Sequence, residues 1–253
     1  MKEVYSEELM VLSSIQLFGA DPNYIKPELF GTGFILNHRE NFYFISVFHN
    51  IKYRDLAIYL ETNLPPENGT VPLIPIGGFM YFDLLKVAED ANASELVAEL
   101  EKGGERIDIT FAKLDKLPEL LQPEMNFTFM KIEKGGKVYL KSESITEPNK
   151  SETYGFYGKI KHEYDGVYLK MTPTLKNNLT YHNKSDKFYR FKAPKLIQSK
   201  EEYEGCSGAP ILDSNGGLVG VACKIKTKTK LVYGFSIKEC LRLLNISIDS
   251  NQI

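Results

Sequence analysis

The sequence predicts a mainly β fold with one inserted helix and one terminal helix. Three observations predict it. Short runs rich in aromatic and β-branched residues recur at intervals of roughly ten residues. Gly, Pro, Asn and Asp separate these runs, as turn chemistry requires. Two stretches open with the side-chain pattern that caps a helix. So many short strands leave many edges, and a closed barrel or a pair of barrels disposes of them. The length, 253 residues, suits one large domain or two small ones.

Taken in order, residues 3–9 read as a short helix and 11–18 as a first strand. Residues 29–36 (LFGTGFIL) read as a strand whose glycines signal a bend or a close backbone approach. A polar turn follows at 37–41, then 42–48 (FYFISVF), an aromatic and β-branched run bounded by turn residues and so a buried strand. Another strand is expected at 56–60. Residues 61–106 look like an insertion, with 63–106 as its bulk: a loop at 64–69, then an extended part punctuated by Pro72, Pro75, Gly77 and Gly78. Asn92-Ala93-Ser94-Glu95 fits a capping box for a helix running to Lys102, and Gly103-Gly104 stops it. Residues 107–114 (IDITFAKL) form a strand, and 117–123 a proline-bounded bridge.

Strands then follow at 127–132, 138–140, 153–160, 166–171 and 188–191. Residues 211–212 and 218–225 flank the turn Asp213-Ser214-Asn215-Gly216-Gly217, a hairpin in which glycine supplies positive φ. Ser236-Ile237-Lys238-Glu239 is a second capping box, opening a C-terminal helix with Leu241, Leu243 and Leu244.

Composition narrows the function. Lys plus Arg number 31 against 33 Asp plus Glu, a net charge of −2, so no excess of cations exists to hold nucleic acid. No apolar run is long enough to cross a membrane as a helix. Cys206, Cys223 and Cys240 are odd in number and 17 residues apart, which fits neither a disulfide framework nor a zinc site. The first eleven residues carry Glu3, Glu7 and Glu8 and no apolar core of signal length, so the expectation is a cytoplasmic protein. The Asn-x-Ser/Thr sequons, at Asn68 and Asn92 among others, then follow from an Asn- and Ser-rich composition.

The sharpest local signal is Glu204-Gly205-Cys206-Ser207-Gly208-Ala209-Pro210. Its glycines let the backbone bend tightly and aim amide N–H groups into one space, a nest that can bind a developing oxyanion. Ser207 would present its hydroxyl beside that nest. The same residues also suit an ordinary turn, and the fragment alone leaves both readings open. A serine nucleophile needs a base. His49 directly follows the buried strand FYFISVF, whereas His38 lies in a turn and His162 and His182 in polar surroundings. A base that becomes cationic needs an orienting carboxylate. Asp108, between Ile107 and Ile109, is the candidate, since an acid among apolar neighbours needs a partner.

In this order, GTGFIL, FISVFHN, DITFAKL and GCSGAPIL followed by GLVGV resemble the trypsin-like (chymotrypsin-fold) serine peptidases, closest to the bacterial and intracellular branches without disulfides. The resemblance covers residues 30–253, with the serine loop as its specific part. It implies two six-stranded antiparallel β-barrels, residues 1–120 and 121–253, with a helical insertion in the first and a terminal helix after the second. It implies His49 as general base, Asp108 as its orienting carboxylate and Ser207 as nucleophile, with the amides of Gly205 and Ser207 as oxyanion hole. Tyr154 to Gly158 would be an early strand of the second barrel. Ala222 and Cys223 would form the edge to which a peptide substrate adds as a strand. Ile225 would narrow the pocket entrance, and Glu201 near the pocket floor would favour a basic side chain before the scissile bond. No metal or organic cofactor is implied. The expected partners are a protein or peptide substrate and a regulatory protein, not nucleic acid or membrane.

The departures from the family pattern are informative. Cys206 stands where relatives carry Asp, so activation through a freed N-terminus is not expected. Phe48 replaces a small residue beside His49 and would crowd it. An esterase of α/β-hydrolase type needs its histidine after the serine, and every histidine here precedes Ser207. Cys206 as nucleophile fails because the family's nucleophile directly precedes the glycine at 208. The remaining alternative is a protease-fold module that binds peptides or partner proteins without cutting them.

Overall fold

The computed structural model describes residues 6–21, 23, 26–53, 55–66, 72–84, 92–101, 103–166 and 168–253. Helix α1 (Ser6–Ser13) precedes strand β1 (Ile15–Ala20), both shifted toward the C-terminus relative to the expectation. The shift has a local cause. The hydroxyls of Ser13 and Ser14 donate to the carbonyls of Leu9 and Met10 at 2.7 and 2.8 Å, which carries the helical path through Ser13.

The first half is a curled antiparallel sheet. β2 (Pro27–His38), β3 (Asn41–Ser46), β4 (Ala57–Glu61), β5 (Leu73–Ile76) and β6 (Thr110–Leu114) join β1 in the order β5-β4-β1-β2-β3-β6. Beyond β5 the chain curls far enough to meet the other edge. Met80 and Phe111 exchange backbone hydrogen bonds of 2.8 and 3.3 Å. Alternation sorts the side chains of β2 and β3. Ile35 and Phe44 fill this half's own core, while Phe34, Leu36, Tyr43 and Ile45 face a core shared with the second half. A short strand, β7 (Leu140–Lys141), adds to β2 in parallel.

The insertion is smaller than expected. Residues 73–76 belong to the sheet as β5, so the protruding part starts beyond Met80. It contains a two-residue ladder, Asp83–Leu84 against Glu105–Arg106, and helix α2 (Ala93–Glu101). The capping box of α2 forms as predicted. Asn92 Oδ1 accepts from the amides of Ser94 and Glu95 at 2.9 and 3.1 Å, and Glu95 Oε2 accepts from the Asn92 amide at 3.0 Å.

The second half is a closed barrel. β8 (Thr153–Asp165), β9 (Tyr168–Ser185), β10 (Phe188–Ile197), β11 (Pro210–Asp213), β12 (Leu218–Ile225) and β13 (Thr229–Ser236) close in the order β8-β9-β10-β13-β12-β11. Closure pairs each strand with two neighbours over part of its length. Helix α3 (Ile237–Asp249) packs its Cys240, Leu243 and Leu244 into the shared core. The second capping box does not form. Ser236 sits at the N-cap without a side-chain hydrogen bond, and Glu239 instead accepts from Arg242 Nε at 3.0 Å. Residue 120, the expected boundary, falls in a connecting segment that touches both halves. Val138 there donates to the Leu12 carbonyl at 3.0 Å, and Ile145 bridges to Leu218. A half-buried ion pair, Lys159 with Glu61 at 2.5 Å, ties β8 to β4. Among the described residues no helix is long and apolar enough to cross a membrane, and Cys206, Cys223 and Cys240 are all free and buried.

Candidate active site

Three segments meet between the halves. After β3 the chain enters a single 3-10 turn, Phe48–Asn50, which holds His49 at the cleft. Asp108 sits just before β6 rather than within it, on a tight turn in which the Ile109 amide donates to the Ile107 carbonyl at 2.9 Å. Both isoleucines are buried, which fixes the turn and turns the carboxylate toward His49. His49 Nδ1 lies 3.0 and 2.9 Å from the two Asp108 oxygens, and the His49 amide donates to Oδ1 at 3.0 Å. A further donor was not anticipated: the Cys223 thiol, 3.4 Å from Asp108 Oδ2. Burial works to raise the Asp108 pKa. The hydrogen bonds and charge of His49, with the Cys223 contact, outweigh it and hold the carboxyl below its ordinary value. The carboxylate is therefore charged and fixes the ring so that Nδ1 is occupied and Nε2 is left for other work.

Ser207 sits in the loop between Lys200 and Pro210. Two glycines there require positive φ: Gly205 at +97° and Gly208 at +93°. Neither tolerates a side chain. A Cβ on Gly205 would lie 2.2 Å from the Lys159 carbonyl oxygen, and one on Gly208 would lie 1.9 Å from that of Thr32. The first half then grips the loop by its carbonyls. Thr32 donates from its amide to the Ser207 carbonyl at 2.8 Å and from Oγ1 to the Gly205 carbonyl at 2.6 Å. Asn50 Nδ2 donates to the Ser207 carbonyl at 2.8 Å. Cys206 and Ala209 donate within the loop, to Tyr203 and Cys206, and Gly208 donates to Ala222. Among the described hydrogen bonds, the amides of Gly205 and Ser207 find no acceptor. The Ser207 hydroxyl donates to the Cys223 carbonyl at 3.4 Å, and none of the described hydrogen bonds joins it to His49.

A cleft of about 740 Å³ opens along β12, lined by His49, Ser207, Ala222, Cys223 and Ile225 with Phe156 and Val232. A second arm of about 390 Å³ runs from the same His49 and Ser207 toward Glu28 and Phe30. Past Ala222, β12 pairs only with β13 among the described ladders, so its other edge faces the cleft. The structure thus brings together His49, Asp108, Ser207, Gly205, Ala222, Cys223 and Ile225.

Glu201 is a correction. It is exposed on the turn that opens the loop, hydrogen bonded to Ser199, and is not among the residues lining the cleft. The turn at 200–204, in which Tyr203 and Glu204 both donate to the Lys200 carbonyl, carries it outward. A basic side chain in the pocket therefore meets no carboxylate from Glu201. Phe48 does not crowd His49 either. Its ring packs on Tyr81 at 5.2 Å and beneath the Arg106 guanidinium at 4.4 Å, outside the cleft. Cys206 is buried, and burial pushes its thiol up to about 12, so it is no thiolate nucleophile.

His162, expected in solvent, instead stacks on Phe30 with ring centres 4.0 Å apart and backs Gly205. Burial lowers its pKa to about 4 against the hydrogen bond to the Lys159 backbone, so the ring is neutral. His38 is also buried, its Nε2 2.8 Å from Asn245 Oδ1. Thr32 and Asn50 had no signal in the sequence beyond their neighbours, the strand glycines and His49.

No protein-family model and no curated protein sequence matches the chain. Solved structures do. A serine endoprotease from Yersinia pestis aligns over 99 % of this chain and 69 % of its own, at 12 % identity and a TM-score of 0.51. The MamO protease domain from Magnetospirillum magneticum aligns over 92 % and 96 %, at 12 % identity and a TM-score of 0.48. The tobacco vein mottling virus protease aligns over 93 % and 82 %, at 11 % identity and a TM-score of 0.46. At such identities the likeness to the first of these speaks to fold alone. With its curled first sheet, closed second barrel and C-terminal helix, the chain has the double-barrel fold of the chymotrypsin-like proteases.

Proposed function

We propose that the chain is a serine endopeptidase. One observation carries the reading: a His49–Asp108 pair and a serine in a loop with two unpaired amides open onto the same cleft. In this reading the Ser207 hydroxyl turns from the Cys223 carbonyl to His49 Nε2. Ser207 Oγ attacks the scissile carbonyl as His49 takes its proton. The amides of Gly205 and Ser207 receive the oxyanion, which burial of the loop strengthens. His49 then protonates the leaving amine, and water, activated by the same imidazole, releases the acyl group. The free edge of β12 would hold the peptide as an added strand. The chemistry needs no metal or organic cofactor. Free, buried thiols suit a reducing compartment such as the cytoplasm.

A second reading, a binding module that does not cut, draws on the Ser207 hydroxyl's contact with Cys223 instead of His49. In unliganded enzymes catalytic hydrogen bonds are often loose and tighten with substrate, which favours the enzyme. Labelling with a fluorophosphonate probe separates the two. The peptidase labels at Ser207, and Ser207→Ala abolishes labelling and lowers peptide turnover by on the order of 10⁶. A parent chain that never labels supports the binding module.

A further inference from the structure

The net charge of the chain is −2, yet the main arm of its cleft is basic. Lys52, Lys200 and Lys224 line it against one carboxylate, Glu204. Lys176 lies directly behind the wall, its Nζ 4.2 Å from the Tyr203 ring centre. Among the described residues none of these four lysines forms an ion pair. Aromatic rings hold three of them instead. Lys52 is 4.9 Å from the Tyr53 ring centre, and Lys224 is 4.4 Å from Phe188 and 5.6 Å from Tyr233. A ring face positions an ammonium group without neutralising it. The positive charge of this arm is left for a ligand.

The floor between the lysines is apolar, formed by Phe156, Cys206, Ala222 and Val232. The arm toward Phe30 differs: there Glu28 and Glu204 offset Lys52. The polarity therefore runs along the cleft, with His49 and Ser207 at the junction.

Resting on the peptidase reading, we infer that the substrate is an acidic peptide segment, with carboxylates on the side of the scissile bond that lies along β12 and an apolar side chain on the pocket floor. Lys200, just before the serine loop, and Lys224, on the strand edge, both line that arm and are the lysines the test removes. This reverses the preference suggested by Glu201.

The test is cleavage of a mixed peptide library at about 20 mM and about 0.5 M salt, where screening removes contacts between exposed charges. Glu and Asp should be preferred over Lys and Arg by about tenfold or more on one side of the cleaved bond at low salt, from a few exposed contacts acting together. The preference should collapse at high salt. In Lys200→Glu/Lys224→Glu it should vanish or invert. Cleavage that ignores charge, or favours basic residues, overturns the inference while leaving the peptidase reading intact. Should Ser207 prove unreactive to fluorophosphonate, that reading fails separately. Fluorescence anisotropy of Glu-rich and Lys-rich peptides on Ser207→Ala then decides the inference, and equal binding of the two overturns it.

Discussion

Thr32→Val tests how the oxyanion nest is held. Thr32 is 1 % exposed and touches the serine loop twice, through its amide on the Ser207 carbonyl and its hydroxyl on the Gly205 carbonyl. Valine keeps the shape, the branching and the backbone contact, and deletes only the 2.6 Å hydroxyl bond. The Gly205 carbonyl is then buried without that donor, a loss of about 1–3 kcal/mol in stability. Removing an entire oxyanion donor from a serine protease costs about 10²–10³ in rate. Thr32 is not itself a donor to the reacting oxygen, but it fixes the peptide between Gly205 and Ser207, and about a tenfold loss is expected. The assay is the second-order rate of fluorophosphonate labelling, which needs no known substrate, beside a urea unfolding midpoint. Thr32→Ser restores the hydroxyl and should label within about twofold of the parent while still losing a buried methyl, about 0.8 kcal/mol. A Thr32→Val protein that is destabilised yet labels at the parental rate would refute the argument, leaving Thr32 a purely structural residue.

Two further predictions concern buried charge. Glu61→Ala leaves the Lys159 ammonium, whose side chain is 16 % exposed, without its carboxylate, and should cost about 3 kcal/mol in urea unfolding. Glu61→Leu/Lys159→Leu should recover most of that, and a double variant worse than the single one would contradict it. His162 tests pH linkage. Its folded pKa of about 4 lies below the ordinary 6.5, so between those values the unfolded chain binds the extra proton. Stability is thus complete above about pH 6.5, declines as pH falls and levels off below about 4, by about 1–2 kcal/mol after discounting for its partial exposure. His162→Phe keeps the stack on Phe30 and should flatten that slope in thermal melts across pH 4 to 7. An unchanged slope assigns the effect to other groups.

Much of the site was legible because its chemistry is local. Gly205 and Gly208 mark a loop that only glycine permits, and His49 follows a strand whose burial is plain from FYFISVF. Of the long strand β9 only the start, within the expected 166–171, was legible, and the whole of β13 was not. β9 alternates among Lys, Thr and Asn with Leu179 as its buried residue, so its pairing with β8 decides its conformation rather than its own pattern. β13 carries Lys and Gly within TKLVYGFS and is held from both sides, by β10 and β12. Glu201 misled for a similar reason. Its distance from the serine was readable, but the turn that carries it outward depends on the Lys200 carbonyl accepting two amides. Thr32 meets Gly205 across 173 residues, a separation at which no spacing rule operates.

The direction of the hydrogen bonds between the halves explains why the nest is open. Among the described residues every first-half donor that reaches the loop, the Thr32 amide, Thr32 Oγ1 and Asn50 Nδ2, ends on a carbonyl. The loop's acceptors at Gly205 and Ser207 are therefore satisfied from outside, while the amides of the same two residues are left over. Each of these carbonyls belongs to the peptide that follows the open amide, so the contacts from the first half fix the backbone on the C-terminal side of both amides. The unpaired amides are thus held in place by contacts that exist only when the two halves are docked. Asn50 carries this furthest. Its Nδ2 is held by Ser46 at 3.1 Å as well as by the Ser207 carbonyl, and it directly follows His49 in the chain. The turn that sets the base therefore also sets the loop that carries the nucleophile, so placement of either side of the chemistry is coupled to the other.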